Sequence, residues 1–459
     1  MAVFTRTLVV DGITPVSAYA HLRTRAGEGS FLLESVIPGE RWGRYSVLGY
    51  RPQTQVIIHG EPGQDPFERL ACLSSSSPHD DQTVAERFAE AHVGVLSYDM
   101  VHYAAKVDPW PRGNSAEPIA RLVGKATVVV FDNLTHTATI AATSQDEIER
   151  ATEDLNGVPL LRPIEPPDHH ELPSDVEVSV SDHGFERDVE RIKEYIRAGD
   201  AFQVVLARTF SVPAGSADPF DVYRSLCVLS PAPYMYLLEL PARPGAPKVA
   251  IAGASPETLV KVEGRRIYSR PIAGTRRRGK TVEEDEALAK EMLADPKERA
   301  EHVMLIDLAR NDLGRVSRPS TIQMPQQMMV ERFSHVMHIV SEVTGELAPG
   351  CGPWDVLRAT FPAGTLSGAP KVRAMQIIRE LERRPRGAYG GAIGYVTRGT
   401  DLDFAIAIRT VVMQGDTFEV TAGAGVVADS VPALECKETR NKARAALASI
   451  HAARLRGAR

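Results

Sequence analysis

Two Glu-x-x-Glu pairs, Glu298 with Glu301 and Glu435 with Glu438, are the residues in this 459-residue chain whose type and spacing could do chemistry. Each pair falls in a helical stretch, where positions i and i+3 share a face. Four converging carboxylates repel one another unless a hard cation sits among them, and all-oxygen ligands with open coordination positions suit Mg2+. A solvated helix face accounts for any single pair equally well. The surroundings change that balance. Glu301 runs into an apolar stretch of nearly two turns beginning at His302, so its helix is deeply packed. Glu435 follows Ala422-Gly-Ala-Gly425, whose small residues let backbone N–H groups approach an anion closely. Together they point to a metal-bearing pocket for a carboxylate.

Two other patterns compete for attention. Residues 274–281, from Gly274 through Gly279, Lys280 and Thr281, match the phosphate-binding GxxxxGK[ST] pattern and lie between strand-like and helix-like segments. Three consecutive arginines are bulky where a phosphate cradle needs close backbone approach, and Glu283, Glu284 and Asp285 place negative charge at the helix end that should attract phosphate. His335 and His338 have H-x-x-H spacing, but residues 333–343 read as a strand, in which i and i+3 point to opposite faces and cannot share a zinc ion.

These residues need elements to hold them. The proline-rich, charged stretch 161–173 interrupts all periodicity and marks a boundary, giving an N-terminal domain over 1–160, a linker over 161–180 and a C-terminal domain over 181–459. Before it, short strands are expected at 30–33, 56–59, 92–97 and 126–132, with a helix at 146–155. After it come a helix at 185–197, strands at 202–210, 248–254, 258–262 and 266–269, and helix over 282–315. Strands then return at 337–343, 391–397, 405–413 and 418–422, before a last helix at 433–454. Strands broken by helices in irregular order predict an α+β fold with antiparallel sheets and helices outside.

Composition narrows the function classes. A net charge of −6 supplies no field for nucleic acid or an anionic membrane, and 43% hydrophobic residues suffice for large cores. The four cysteines, Cys72, Cys227, Cys351 and Cys436, show neither CxxC nor metal-finger spacing and read as reduced thiols. The N-terminal apolar runs are too short for a secretory signal, no segment approaches membrane-spanning length, and a cytoplasmic location is expected.

The motifs in their order resemble the chorismate-utilising family, and within it the large subunits of anthranilate synthases. The resemblance covers nearly the whole chain. It rests on residues 30–35 and 43–46 in the first half and, more specifically, on 253–257, 270–275, 301–312, 334–338, 361–371 and 422–425 in the second. It implies two layered antiparallel β-sheets flanked by helices, with the site in a cleft between them, and it absorbs the phosphate-loop pattern into a loop of the family. Carried over residue by residue, it makes Glu298, Glu301, Glu435 and Glu438 ligands of Mg2+ and Glu257 a general acid. Tyr389, Arg409, Ala273, Gly274, Thr275 and Lys442 match substrate-binding positions, and the backbone at Gly423, Ala424 and Gly425 matches that for a carboxylate. His338 and Thr365 match residues linked with the loss of pyruvate.

Two positions separate the branches of that family. Relatives that add water to chorismate carry a lysine base where this chain has Gln203; an amide cannot take up that proton, whereas ammonia already offers a lone pair. Many aminodeoxychorismate synthases carry a nucleophilic lysine where this chain has Ala273. The resemblance therefore implies amination at C2 of chorismate and release of anthranilate and pyruvate; the alternatives are aminodeoxychorismate synthase and 2-amino-2-deoxyisochorismate synthase. Ammonia is expected from glutamine through a separate glutaminase subunit in a hetero-oligomer, since a fused glutaminase would add on the order of 150 residues. Glu34, Ser35, Pro233, Tyr234 and Met235 match a tryptophan pocket of feedback-inhibited relatives, with departures at Ser230 and Ala232.

Overall fold

Leu237 and Leu238, neighbours in one strand, are both fully buried, yet they belong to different cores. Side chains alternate across a strand, so a sheet covered on both faces must be apolar at consecutive positions. A computed structural model describes residues 2–27, 29–35, 44–61, 63–74, 82–110, 117–241, 249–333 and 336–458. His335, together with Ser334 and Gly43 of the family-like motifs, lies outside them.

Among the described residues twelve strands form one sheet and ten form another, every strand pair being antiparallel. Leu238, Phe31, Val128 and Ile251 of the larger sheet pack against Val93, Val95 and Ile393 of the smaller, and this is the layer between the sheets. The outer face of the larger sheet, with Leu237, Leu32 and Val129, is covered by helices carrying Tyr19, Ile148, Tyr223 and Ile450. The outer face of the smaller sheet packs Val260 and Phe404 against Ile306, Trp354 and Leu357. The result is helix, sheet, sheet, helix, as expected for the α+β class.

Both halves of the chain build both sheets. Ser30–Glu34 pairs with Tyr234–Leu240, and His92–Leu96 pairs with Ala392–Val396. The boundary at 161–180 thus divides the chain but not the sheets. Among the described residues no helix is long and apolar enough to cross a membrane, and all four cysteines are free thiols.

Local sequence explains where the functional elements start. Asp295 caps the helix Pro296–Gly314 by accepting from the amides of Lys297 and Glu298, which sets Glu298 in the first turn and Glu301 one turn on. The same Asp-Pro step breaks the helix expected over 282–315 into Val282–Ala294 and Pro296–Gly314. Pro432 opens the last helix, Pro432–Gly457, which carries Glu435 and Glu438 in its first two turns. The expected strand 405–413 is also two: Leu402–Ile406 ends, Arg409 adopts φ 52°, and Thr410–Gln414 joins the other sheet. The chain switches sheets there, and the switch puts Arg409 in the cleft between them.

Gly253 shows how closely the sheet beside the site is packed. It lies across from Tyr236, and a Cβ at Gly253 would fall inside that ring. The ring is held by its hydroxyl on Thr410 Oγ1, 2.7 Å away. Gly253→Ala is expected to cost about 1–3 kcal/mol by overpacking, read as a lower Tm in thermal denaturation; an unchanged Tm would mean that Tyr236 can swing aside freely.

Candidate active site between the sheets

A cavity of about 590 Å³ opens where the two sheets meet the N-terminal ends of Pro296–Gly314 and Pro432–Gly457. Its wall includes all four glutamates of the two Glu-x-x-Glu pairs. Their carboxylates are engaged with neighbours. Glu298 accepts from Arg276 Nη1 at 2.8 Å, Glu301 from Gln203 Nε2 at 3.4 Å, and Glu438 pairs with Lys442 Nζ at 2.7 Å. Burial raises the Glu435 carboxyl above its ordinary range; Ser430 opposes the shift and the nearby charge of Glu438 adds to it. Among the described residues no three acidic, histidine or cysteine side chains stand close enough together to hold an ion between them. The donor set around the cavity is nevertheless all-oxygen and anionic, the chemistry that a Mg2+ ion takes.

Glu257 follows the strand Val249–Ser255 and lines the same cavity. Its carboxyl accepts from Thr365 Oγ1 at 3.0 Å. Desolvation pushes it up to about 7, against the lowering pull of the Thr365 hydrogen bond and the Lys442 charge, so it still holds a proton in part of the population at neutral pH.

His338 comes from the strand Val336–Glu346, and its Nδ1 lies 2.8 Å from the carbonyl of Gly274 and 3.2 Å from Thr275 Oγ1. A carbonyl only accepts, so Nδ1 carries the hydrogen. Burial holds the imidazole below its ordinary pKa, and Nε2 of the neutral ring is left with its lone pair.

Gly423 and Gly425 lie on Thr417–Val426, which pairs with Gln203–Pro213. A Cβ at Gly423 would stand 2.7 Å from the Tyr389 hydroxyl, and one at Gly425 would stand 2.7 Å from Gln203 Nε2. Both glycines keep that wall open. Ala424 between them is fully buried and takes no part in the cavity wall. Tyr389, Arg409, Ala273, Gly274, Thr275 and Lys442 line the cavity as well, and Lys442 Nζ also donates to the Gly423 carbonyl at 3.1 Å. Burial depresses the Arg409 guanidinium pKa, while Tyr389 and Glu438 act to raise it.

The phosphate-loop pattern is occupied by the protein itself. The amides of Gly279 and Lys280 donate to Asp285 and Glu284 at 2.8 and 2.6 Å, and Arg277 and Arg278 pair with the same two acids. The remaining arginine, Arg276, binds Glu298 and Asp295. The run set aside as too bulky for phosphate thus supplies the cation beside one of the four glutamates, a role that an i, i+3 pattern of acids does not disclose.

A second cavity, of about 410 Å³, is lined by Glu34, Ser35, Pro233 and Tyr234, with Lys261 and Asp403. Met235 is buried behind it rather than on its wall. The Tyr234 hydroxyl sits 2.9 Å from Thr258 Oγ1 and donates to Asp403 Oδ1 at 2.9 Å.

The chain is 42% identical to anthranilate synthase component 1 of Pseudomonas putida, over 96% of its own length and 94% of that protein. It superposes on the crystal structure of anthranilate synthase component I from Streptococcus pneumoniae TIGR4 with a TM-score of 0.77 at 35% identity, covering 96% and 99% of the two chains. The menaquinone-specific isochorismate synthase of Escherichia coli shares the fold, with a TM-score of 0.74 at 18% identity over 98% and 95%. The model of the chorismate binding enzyme family matches residues 31–448, and with relatives this similar along nearly its whole length the chain belongs to that family.

Proposed function

We propose that the protein is the chorismate-aminating component of an anthranilate synthase, converting chorismate and ammonia to anthranilate, pyruvate and water at the first step of tryptophan biosynthesis. One observation carries the reading: a single cavity is lined by a carboxyl raised to about 7, Glu257, and by an amide rather than an amine at position 203. The fold alone would not choose, since an isochorismate synthase shares it.

Arg409 and the amides of Gly423 and Gly425 would bind the substrate's carboxylates, the guanidinium through a bidentate contact. Glu298, Glu301, Glu435 and Glu438 would hold Mg2+, which supplies positive charge for a carboxylate of the substrate. Glu257 gives its proton to the departing C4 hydroxyl, which leaves as water. Gln203 accepts no proton at that point, so the group forming the new bond at C2 must attack without prior deprotonation, as neutral ammonia does and water does not; the ammonium so formed returns a proton to the Glu257 carboxylate or to water. Nε2 of His338, free and unprotonated, then suits removal of the C2 proton as the C3–O bond breaks and pyruvate departs. The naming of relatives as component 1 supports a second component; in the proposed reading it is a glutaminase that supplies the ammonia, and the assembly is cytoplasmic.

The test is incubation of the purified chain with chorismate, Mg2+ and ammonium salt at about pH 8.5, where more of the ammonia is unprotonated, following anthranilate fluorescence and pyruvate together. Both products are expected. An aminated product without pyruvate would move the protein to 2-amino-2-deoxyisochorismate or aminodeoxychorismate synthesis, and absence of turnover would refute the reading. The 410 Å³ cavity, which carries both signs of charge around an apolar wall, is proposed as the tryptophan site. Tryptophan at about millimolar concentration should slow turnover and raise Tm; an unchanged rate and Tm reject it.

A further inference from the structure

Behind the reactive cavity, and not part of its wall, lies a buried ion pair that the chemistry above does not use. Arg386 and Glu382 have side chains only 1% and 7% exposed. Arg386 Nε and Nη2 donate to the two Glu382 oxygens at 2.8 and 2.6 Å, a bidentate pair. The fork does not stop at the carboxylate. Nη1 donates to the Leu366 carbonyl at 2.7 Å and Nη2 to the Val205 carbonyl at 2.8 Å, while Glu382 Oε1 also accepts from the Ala207 amide at 2.9 Å. The guanidinium carbon lies 4.5 Å from the Tyr98 ring centroid and 5.6 Å from that of Tyr389.

Three segments distant in sequence meet at this pair, and each carries a residue of the cavity. Val205 is two positions from Gln203 on one strand. Leu366 follows Thr365, whose hydroxyl sets the Glu257 carboxyl. Tyr389, three residues beyond Arg386, faces the cavity beside Gly423. A buried ion pair is an inefficient source of stability, because apolar residues of similar volume commonly do as well. What apolar residues lack is the fixed fork that holds two carbonyls at set angles. We propose that Arg386, locked by Glu382, is a positioning residue for the reaction, fixing the general acid's partner Thr365, the strand of Gln203 and the ring of Tyr389 in one register. The role rests on the proposed function.

A displacement on the order of 1 Å among reacting groups costs about 10²-fold in rate. Arg409, the ground-state anchor of the substrate, makes no hydrogen bond with this pair, whereas Val205 and Ala207, which the pair does contact, lie across from Gly425 and Gly423. Arg386→Lys keeps the charge and loses the fork; it should lower kcat by about 10- to 100-fold, with KM for chorismate rising by a smaller factor than kcat falls. The double variant Arg386→Met with Glu382→Leu removes the pair without stranding a charge. It should regain a Tm near that of the unmodified protein while kcat stays at least about tenfold down. A double variant with normal Tm and kcat within about threefold of the unmodified enzyme would make the pair structural only and overturn the proposal. If the double variant does not fold, Arg386→Lys decides alone, and a kcat within about threefold of normal overturns it equally. The unmodified enzyme runs alongside: its failure to turn over chorismate sinks the proposed function and this role together, whereas normal turnover with unimpaired variants sinks this role alone.

Discussion

Glu257→Gln is expected to lower kcat by about 10²- to 10⁴-fold, the usual contribution of a positioned general acid, with KM for chorismate little changed. Glutamine keeps the shape and can still accept the hydrogen bond from Thr365 Oγ1, but it has no proton to give to a departing hydroxyl. The pH dependence identifies the group. Burial places the Glu257 carboxyl at about 7, and a general acid works in its protonated form. Activity of the unmodified enzyme, expressed per unprotonated ammonia, should therefore be full below pH 7 and fall as pH rises through it. The residual activity of Glu257→Gln should lack that limb. Initial rates of both proteins across pH 6–9, read by anthranilate fluorescence, make the comparison over about a unit on either side of the carboxyl. A variant that retains the same falling limb would assign it to another group and remove Glu257 from the acid role.

Part of the element order was legible, but strands such as Phe4–Val9, Tyr45–Tyr50, Thr137–Ala142 and Tyr234–Leu240 and the helices Pro219–Leu229, Pro353–Thr360 and Lys371–Leu381 were not anticipated, and the partners of the elements in space were not legible. The helix Asp182–Arg197 is expected over 185–197 from its apolar stripe and the stop at Gly199, which adopts φ 84°; its first turn, capped by Ser181 on the Gly184 amide, lies outside that expectation. Nothing local, however, tells Glu34 that it will pair with Met235, because cross-strand register is fixed by cores assembled from residues some 200 positions apart. The strand Gln323–Arg332 escaped for a different reason. It is a mostly exposed edge strand whose polar run contains Pro325, so it has no period-two alternation to read. The resemblance named Arg409, but the switch between sheets at that residue was hidden inside an apolar run that reads as one strand, since no residue type signals such a switch. In the site, spacing alone exposed the four glutamates, and the family resemblance supplied the roles of Glu257, His338 and Thr365. Neither disclosed Arg276 beside Glu298 or the Arg386–Glu382 pair, because an ion pair closed across the fold leaves no spacing signature.

Glu301→Gln should lower kcat/KM by about 10³-fold or more and abolish the response to Mg2+, because a lost ligand removes charge that the remaining groups cannot restore. Burial raises the Glu435 carboxyl above its ordinary range, against the pull of Ser430, and the charge of Glu438 adds to the shift. Arg276, Gln203 and Lys442 meet part of the glutamates' charge, each through one contact to one glutamate, and none of them bridges the two helices. Glu298, Glu301, Glu435 and Glu438 would hold a divalent ion, which would supply the positive charge that these contacts do not. Glutamine at 301 preserves volume, and its carbonyl can still accept from Gln203, so a large loss of rate would come from charge rather than packing. Rate should rise to saturation with Mg2+ in the unmodified enzyme and vanish in EDTA, while the variant should stay flat to tens of millimolar Mg2+, roughly tenfold above what a working site needs. Tm in the absence of metal separates the two causes: it should be equal or higher in the variant, since one of four like charges has been removed. An Mg2+ response within about threefold of the unmodified protein would exclude Glu301 as a ligand. A rate indifferent to EDTA would remove the ion from the reaction altogether, and the four carboxylates would then need the cations already beside them as their only partners.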